Sequence, residues 1–167
     1  MTDAHSLESP PITFVDDDGR TIHIEAHDGD RDALVAMYDD FAPQHRAQGL
    51  PPVSRERITE WLETIEDGLH VVAWHDDRAV GHAALLAGGD DHELMIFVHQ
   101  DYRLAGIGSK LIRSLLGYGR RAGVERVWLC VRPSNAVAVA LYRSVGFETI
   151  ESGDTDLEMR LTFSEED

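Results

Sequence analysis

A chain of 167 residues with 43% hydrophobic content is long enough for one domain around one core, and one domain is expected. No run approaches the roughly 18 to 20 apolar residues of a membrane span, and the N-terminal MTDAHSLESPP has neither a basic flank nor an apolar signal core, so a soluble, cytoplasmic protein without a membrane partner is expected. The 31 acidic residues against 15 basic ones, a formal charge of −16, argue against nucleic acid as a partner.

Lys110 is the only lysine, and an acidic, lysine-poor chain resembles proteins of salt-loving organisms, in which molar salt shortens the Debye length to about 3 Å and screens self-repulsion. Arginine-favouring codon usage in a merely acidic protein is the other reading. The single cysteine, Cys130, excludes an internal disulfide and a Cys-based zinc cluster. It lies in the apolar run 127–131, where it reads as a buried structural thiol with nothing basic beside it to lower its pKa. Nine histidines show no H-x-x-x-H or other compact ligand spacing, so no metal is expected.

Residues 12–15 and 21–26 alternate apolar with polar positions around Asp16-Asp17-Asp18-Gly19, a hairpin turning at Asp-Gly. Ala33, Leu34, Met37, Tyr38 and Phe41 recur at helical spacing, which predicts a helix over 30–41, with Pro43 at or just past its end. Ser54 opens a second helix to about residue 66, with Ile58, Trp61, Leu62 and Ile65 as its apolar stripe and Gly68 as its stop. Strands over 69–75 and 79–87 follow, joined at Asp76-Asp77-Arg78, then a turn at Gly88-Gly89-Asp90-Asp91. Residues 93–99 form a near-continuous apolar strand, and 106–122 a helix with Ile107, Leu111, Ile112, Leu115 and Leu116 on one face, closed by Gly123. A buried strand over 126–132, a short helix over 135–145 ended by Gly146, and strands over 147–151 and 156–163 complete the pattern. This alternation behind an antiparallel front half predicts a mixed α/β (α+β) fold. The expected sheet is twisted, mainly antiparallel and of six to seven strands, flanked by about four helices. It forms a single domain over residues 12–163, between frayed tails at 1–11 and 164–167.

Between the strand at 93–99 and the next helix stands Arg103-Leu104-Ala105-Gly106-Ile107-Gly108. The unpaired N–H groups of a helix start, its positive dipole end and glycines that admit a close ligand make an anion site. A dinucleotide site would carry a third glycine where Leu111 stands, and the Gly-Lys-Ser/Thr of a P-loop is absent. Alone, the segment is an anion-ready helix start or a tight turn.

Its surroundings are more specific. Val98-His99-Gln100-Asp101-Tyr102-Arg103-Leu104-Ala105-Gly106-Ile107-Gly108-Ser109-Lys110-Leu111 resembles motif A of the GNAT superfamily of N-acetyltransferases, with its signature Arg/Gln-x-x-Gly-x-Gly/Ala. A second block, Asn135-Ala136-Val137-Ala138-Val139-Ala140-Leu141-Tyr142-Arg143-Ser144-Val145-Gly146-Phe147, resembles the family's N-x-x-A-x-x-L-Y-x-x-x-G-F. The resemblance implies a GNAT fold whose strands at 93–99 and 126–132 splay to admit acetyl-CoA, the co-substrate. It implies that the backbone of Phe97 and Val98 meets pantetheine, and that N–H groups of Leu104, Ala105, Gly106, Ile107, Gly108 and Ser109 hold the pyrophosphate. Arg103, Lys110 and Arg113 would add positive charge, whereas Ala105 stands where many relatives carry Arg or Lys.

In similar enzymes the tyrosine matching Tyr142 protonates the departing CoA sulfur, and the asparagine matching Asn135 contacts the pantetheine arm; helix packing and N-capping are their structural readings. Similar enzymes, notably bacterial and archaeal protein-lysine acetyltransferases, place a general base at the strand start, where Glu93 stands. An exposed carboxylate at a strand start is its structural reading, whereas partial burial would raise its pKa toward the range of a base; His92 and His99 stand in reserve. The implied activity is acetyl transfer to a primary amine, with a protein lysine, a peptide N-terminus and a small amine all open, Glu93's position favouring a protein lysine, and residues 43–53 shaping the acceptor side. A non-catalytic acyl-CoA-binding sensor is the alternative, and a homodimer stays open.

Overall fold

The alternating residues at the start of the chain form strands β1 (Ile12–Val15) and β2 (Thr21–Ala26), paired antiparallel. In this computed structural model, residues 7–27, 31–45, 50–88, 91–153 and 156–163 are described. Asp16 ties the β1–β2 turn together: its Oδ1 accepts from the Arg20 and Asp18 backbone N–H groups at 2.8 and 3.0 Å, and its Oδ2 from Arg20 Nε at 2.8 Å. Helix α1 (Asp32–Asp39) buries Leu34, Val35, Met37 and Tyr38. Helix α2 (Arg55–Thr64) starts at Ser54, whose side chain accepts from Arg57 N–H at 3.3 Å, and buries Ile58 and Leu62.

Strands β3 (Leu69–His75), β4 (Arg78–Gly88) and β5 (Asp91–Val98) form an antiparallel meander. Helix α3 (Ile107–Arg121), strand β6 (Arg126–Val131), helix α4 (Ala136–Ser144) and strands β7 (Glu148–Ser152) and β8 (Leu157–Thr162) follow. Among the described residues the sheet has eight strands in the order β1-β2-β3-β4-β5-β6-β8-β7, more than the six to seven expected, because every strand segment read along the chain, the short edge strands β1 and β7 included, joins the same sheet. The turn around Gly88–Asp91 lies partly outside the described residues, as do 1–6 and 164–167 of the expected tails. Leu7, within the first tail, packs against the α3 cluster.

Every pairing is antiparallel except β5–β6, which runs parallel from Asp91↔Arg126 only to Glu93↔Trp128. Beyond that pair β5 stays with β4 as far as Gly81↔Val98, and β6 stays with β8 as far as Val131↔Leu157. The two central strands therefore part at Glu93, leaving a wedge between them.

Apolar side chains cover the two faces of the sheet differently. On one face α3 and α4 enclose Ile107, Leu111, Ile112, Leu115 and Leu116, each at most 1% exposed. Each such side chain contributes about 1.5–3 kcal/mol relative to exposure. A Cβ on Gly119 would stand 2.5 Å from Leu85 Cδ1, so a larger residue there would displace the Leu85 side chain from its place under the helix. On the other face α1 and α2 cover β3, β4 and part of β5, and the surface of β6 and β8 there is left open. This corrects the expectation for Cys130: Val127, Leu129 and Val131 point into the α3 core, while Cys130, at the opposite parity, is exposed on the uncovered face.

Candidate active site

A groove of about 290 Å³ runs from the α3 N-terminus into the β5–β6 wedge. Its β5 wall is Ile96 and Val98, its head is Arg103, Leu104, Gly106, Gly108 and Ser109, and its α4 wall is Asn135, Val137, Ala138, Leu141 and Tyr142. The head is a twisted turn, with Leu104 at φ +60° and Gly106 at φ +89°. Left-handed backbone suits glycine but strains leucine, and such strain concentrates at functional turns. Leu104, 83% exposed, and Val137, 63% exposed, are apolar side chains on opposite rims of the groove, a placement typical of a surface that meets a ligand.

Gly106 caps α3 with no side-chain hydrogen bond, so the first N–H groups of the helix are available to an anion. The β1–β2 turn braces this segment from behind, because Asp17 N–H donates to the Ala105 carbonyl at 2.9 Å. The Ala105 side chain is buried, which restricts its part in the groove to main-chain atoms. A Cβ at Gly108 would meet only Leu141 and Val98, at 3.5 and 4.0 Å, so packing inside the protein does not demand glycine there and the space serves the groove.

Of the three cations expected near the phosphates, only Arg103 lines the groove. Its Nη1 donates to His45 Nδ1 at 2.9 Å, on the short 3-10 turn Pro43–His45. Lys110 lies over the Phe14 ring at 5.5 Å, and Arg113 Nε donates to Ser109 Oγ at 3.2 Å. Phe97 sends its ring to the other face of the sheet, among Tyr38, Phe41 and Trp61, which leaves only its main chain for the groove. Asn135 caps α4, its Oδ1 accepting from Ala138 N–H at 3.2 Å, and it also lines the groove.

Tyr142 is 9% exposed in the wedge, and burial pushes its phenol up to about 12, which keeps it protonated at neutral pH. Glu93 stands where β5 and β6 part and is exposed, the structural reading of its position, without the burial that would ready it as a base. Partial burial, followed by the charges of Glu158, Asp156 and Glu93, pushes the Cys130 thiol up, which weighs against a nucleophile and places carboxylates around the open side of the wedge. His99 is no base for the groove: fully buried, it donates from Nε2 to Asp40 Oδ2 at 2.8 Å and accepts on Nδ1 from Asp101 N–H at 3.1 Å. His92 has a buried Nδ1 without a hydrogen-bond partner among the described residues. Among the described residues no three His, Cys, Asp or Glu side chains gather in a way that holds a metal ion.

Ile96, Tyr102, Val137, Ala138 and Leu141 are groove residues that the sequence did not single out for binding. Ile96 was detectable as the same-face neighbour of Val98, and Leu141 as the position before Tyr142 in the second motif.

The profile of the Acetyltransferase (GNAT) family matches residues 34–147, which takes in both motifs and the wedge between them. The chain belongs to this acetyltransferase family. Among its GNAT relatives, the [ribosomal protein bS18]-alanine N-acetyltransferase of Escherichia coli K12 is 46% identical over 52 residues, 31% of this chain and 35% of the relative. The chain thus spans about a third of the length of that curated relative. The crystal structure of the GNAT domain of S. lividans PAT superposes with a TM-score of 0.76 over 96% of this chain and 98% of that one, at 17% identity. The PaiA N-acetyltransferase of Thermoplasma acidophilum, solved with coenzyme A, superposes with a TM-score of 0.63 over 84% and 99%, at 19% identity. Both likenesses establish the GNAT fold.

Proposed function

We propose that this chain is an acetyl-CoA-dependent N-acetyltransferase that passes the acetyl group directly to a primary amine of a protein. The observation that carries this reading is the wedge itself. Strands β5 and β6 part at Glu93↔Trp128, the groove with its anion-ready head and Tyr142 enters from the α3–α4 face, and the opposite face of the wedge is open. Acetyl-CoA fits the first side, with its diphosphate at Gly106 and Gly108 and its pantetheine along the β5 main chain at Phe97 and Val98. The acceptor then arrives from the side of Glu93.

The amine nitrogen attacks the thioester carbonyl, forming the C–N bond; the C–S bond breaks, and Tyr142 gives its proton to the departing sulfur. Glu93, through water, receives the proton lost by the amine. A solvent-exposed carboxylate does little to deprotonate a lysine ammonium of pKa about 10.4, whereas an α-amino group of pKa about 8 is partly neutral without help. The exposure of Glu93 therefore favours a protein N-terminus over lysine, and the name of the Escherichia coli relative, an alanine N-acetyltransferase of a ribosomal protein, points the same way.

The test follows thiol release from acetyl-CoA with peptides bearing a free N-terminus, with N-blocked lysine peptides and with small amines. Turnover on free N-termini, lost on N-blocking, is expected. Acetyl-CoA binding without release on any acceptor would make the chain a sensor, and no binding would overturn the proposal.

A further inference from the structure

On the α1–α2 face, away from the groove, three titratable side chains form a continuous hydrogen-bonded chain. Tyr38 Oη lies 2.6 Å from His82 Nδ1, His82 Nε2 lies 2.8 Å from His70 Nδ1, and His70 Nε2 lies 2.7 Å from the Ile65 carbonyl oxygen. Tyr38 and His82 are fully buried, and His70 is 8% exposed. The direction of the chain follows from its end. A carbonyl only accepts, so His70 carries its hydrogen on Nε2; His70 Nδ1 then accepts from His82 Nε2–H, and His82 Nδ1 accepts from the Tyr38 hydroxyl.

Register explains why the histidines meet. Val72 pairs with His82 and His70 with Ala84, so the two imidazoles are diagonal neighbours on one face of β3 and β4, stacked 5.1 Å apart at 14°. Tyr38 brings α1 onto them, and Ile65 follows α2. Leaving a buried polar group unpaired costs about 1–3 kcal/mol, so a chain satisfied at every atom has one low-energy arrangement. The Tyr38 ring in turn packs edge-on against Trp61 and Phe97, with centroids 5.1 and 5.5 Å away. Phe97 lies between Ile96 and Val98, the β5 wall of the groove.

We propose that Tyr38, His82 and His70 are positioning residues for the transfer proposed above. They lock α1 onto Phe97, and so hold the β5 wall in place, only while both imidazoles are neutral. A hydrogen added at His70 Nδ1 faces the Nε2–H of His82 across 2.8 Å. Proton uptake at His70 therefore forces His82 to exchange tautomers and turns the Tyr38 hydroxyl from donor to acceptor. The proton reaches His70 from a small cavity of about 140 Å³, where His27 after β2, Arg31 before α1 and Glu66 after α2 face the two imidazoles. Arg31 is itself held by Glu66 at 2.7 Å and Glu63 at 3.4 Å.

Burial, and then the neighbouring His27, lower the pKa of His70 despite its bond to Ile65; burial, then His70 and His27, hold His82 well below the ordinary histidine value. Both depressed values mean that the stabilisation is complete above about pH 6.5 and is lost as pH falls through the folded values.

His70→Gln tests this, because glutamine can donate to Ile65 and accept from His82 but does not titrate. Imidazole ¹⁵N spectra of the wild type at pH 7.5, which need no turnover, should show both rings neutral with hydrogen on Nε2. As pH falls from about 6.5 to about 4.5, the ratio of His70→Gln to wild-type kcat should rise about tenfold, the ratio cancelling the ionisation of the acceptor. Thermal midpoints should follow the same order, the wild type losing more on acidification. A charged ring or an Nδ1 hydrogen at pH 7.5, or equal acid limbs in both melts and kcat, overturns the inference. Absence of turnover alone would sink the transfer reading and leave the spectra and melts to decide the chain.

Discussion

The two faces of the sheet solve the same packing problem with different materials. The α3–α4 face is mainly aliphatic, from Leu85 and Leu94 to Leu115 and Leu116, and it carries the groove. The α1–α2 face combines Tyr38, Phe41, Trp61 and Phe97 with the buried histidines His70 and His82. An aliphatic core tolerates change in proportion to the volume lost, whereas a buried polar chain fails when one bond is lost. The face that carries the groove is thus expected to be the less sensitive to pH, while the α1–α2 face carries the buried titratable chain.

Four substitutions bear on this contrast. Leu111→Ala, in the fully buried aliphatic face, should lower unfolding free energy by about 2–5 kcal/mol with an unchanged pH dependence, as urea titrations at pH 5.5 and 7.5 would show. Tyr142→Phe should reduce kcat by about 10²-fold while acetyl-CoA affinity from calorimetry stays within about twofold. In the wild type the phenol pushed up to about 12 keeps its proton, so its contribution to stability is complete below its ordinary value near 10 and is lost only as pH rises through about 12. Tyr38→Phe removes the donor to His82 Nδ1 while keeping the ring, and should cost about 1–3 kcal/mol; a cost near zero in urea unfolding would erase the distinction between the faces. Asn135→Ala loses the α4 cap, about 1 kcal/mol of stability, and should also weaken acetyl-CoA binding if the side chain meets the pantetheine arm.

Much of the fold was legible because local pattern and final structure agree. The helix over 106–122 was predicted from Ile107, Leu111, Ile112, Leu115 and Leu116 and runs from Ile107 to Arg121. Ser54 and Asn135 cap the helices that their positions suggested. The head of the groove was legible as well, since glycines between a strand and a helix have few other uses. Less legible were Cys130, Glu93 and His99. Strand parity says that Cys130 and Glu93 point away from their neighbours, but not that helices cover that face only as far as β5. His99 stood in reserve as a base, and its packing against Phe41 and its bond to Asp40, 59 residues away just past α1, depend on contacts across the fold.

The sequence by itself determined the elements, their order, the anion-ready turn at Gly106 and the two motifs, because these depend on residues close together in the chain and on short-range periodicity. Only the folded chain shows that the splay implied by the family resemblance begins at Glu93, which face of each strand meets solvent, and that Tyr38, His82 and His70 touch. Those features depend on strand register and on helices docking across the sheet, and a register shift of one residue would exchange every inward side chain for an outward one.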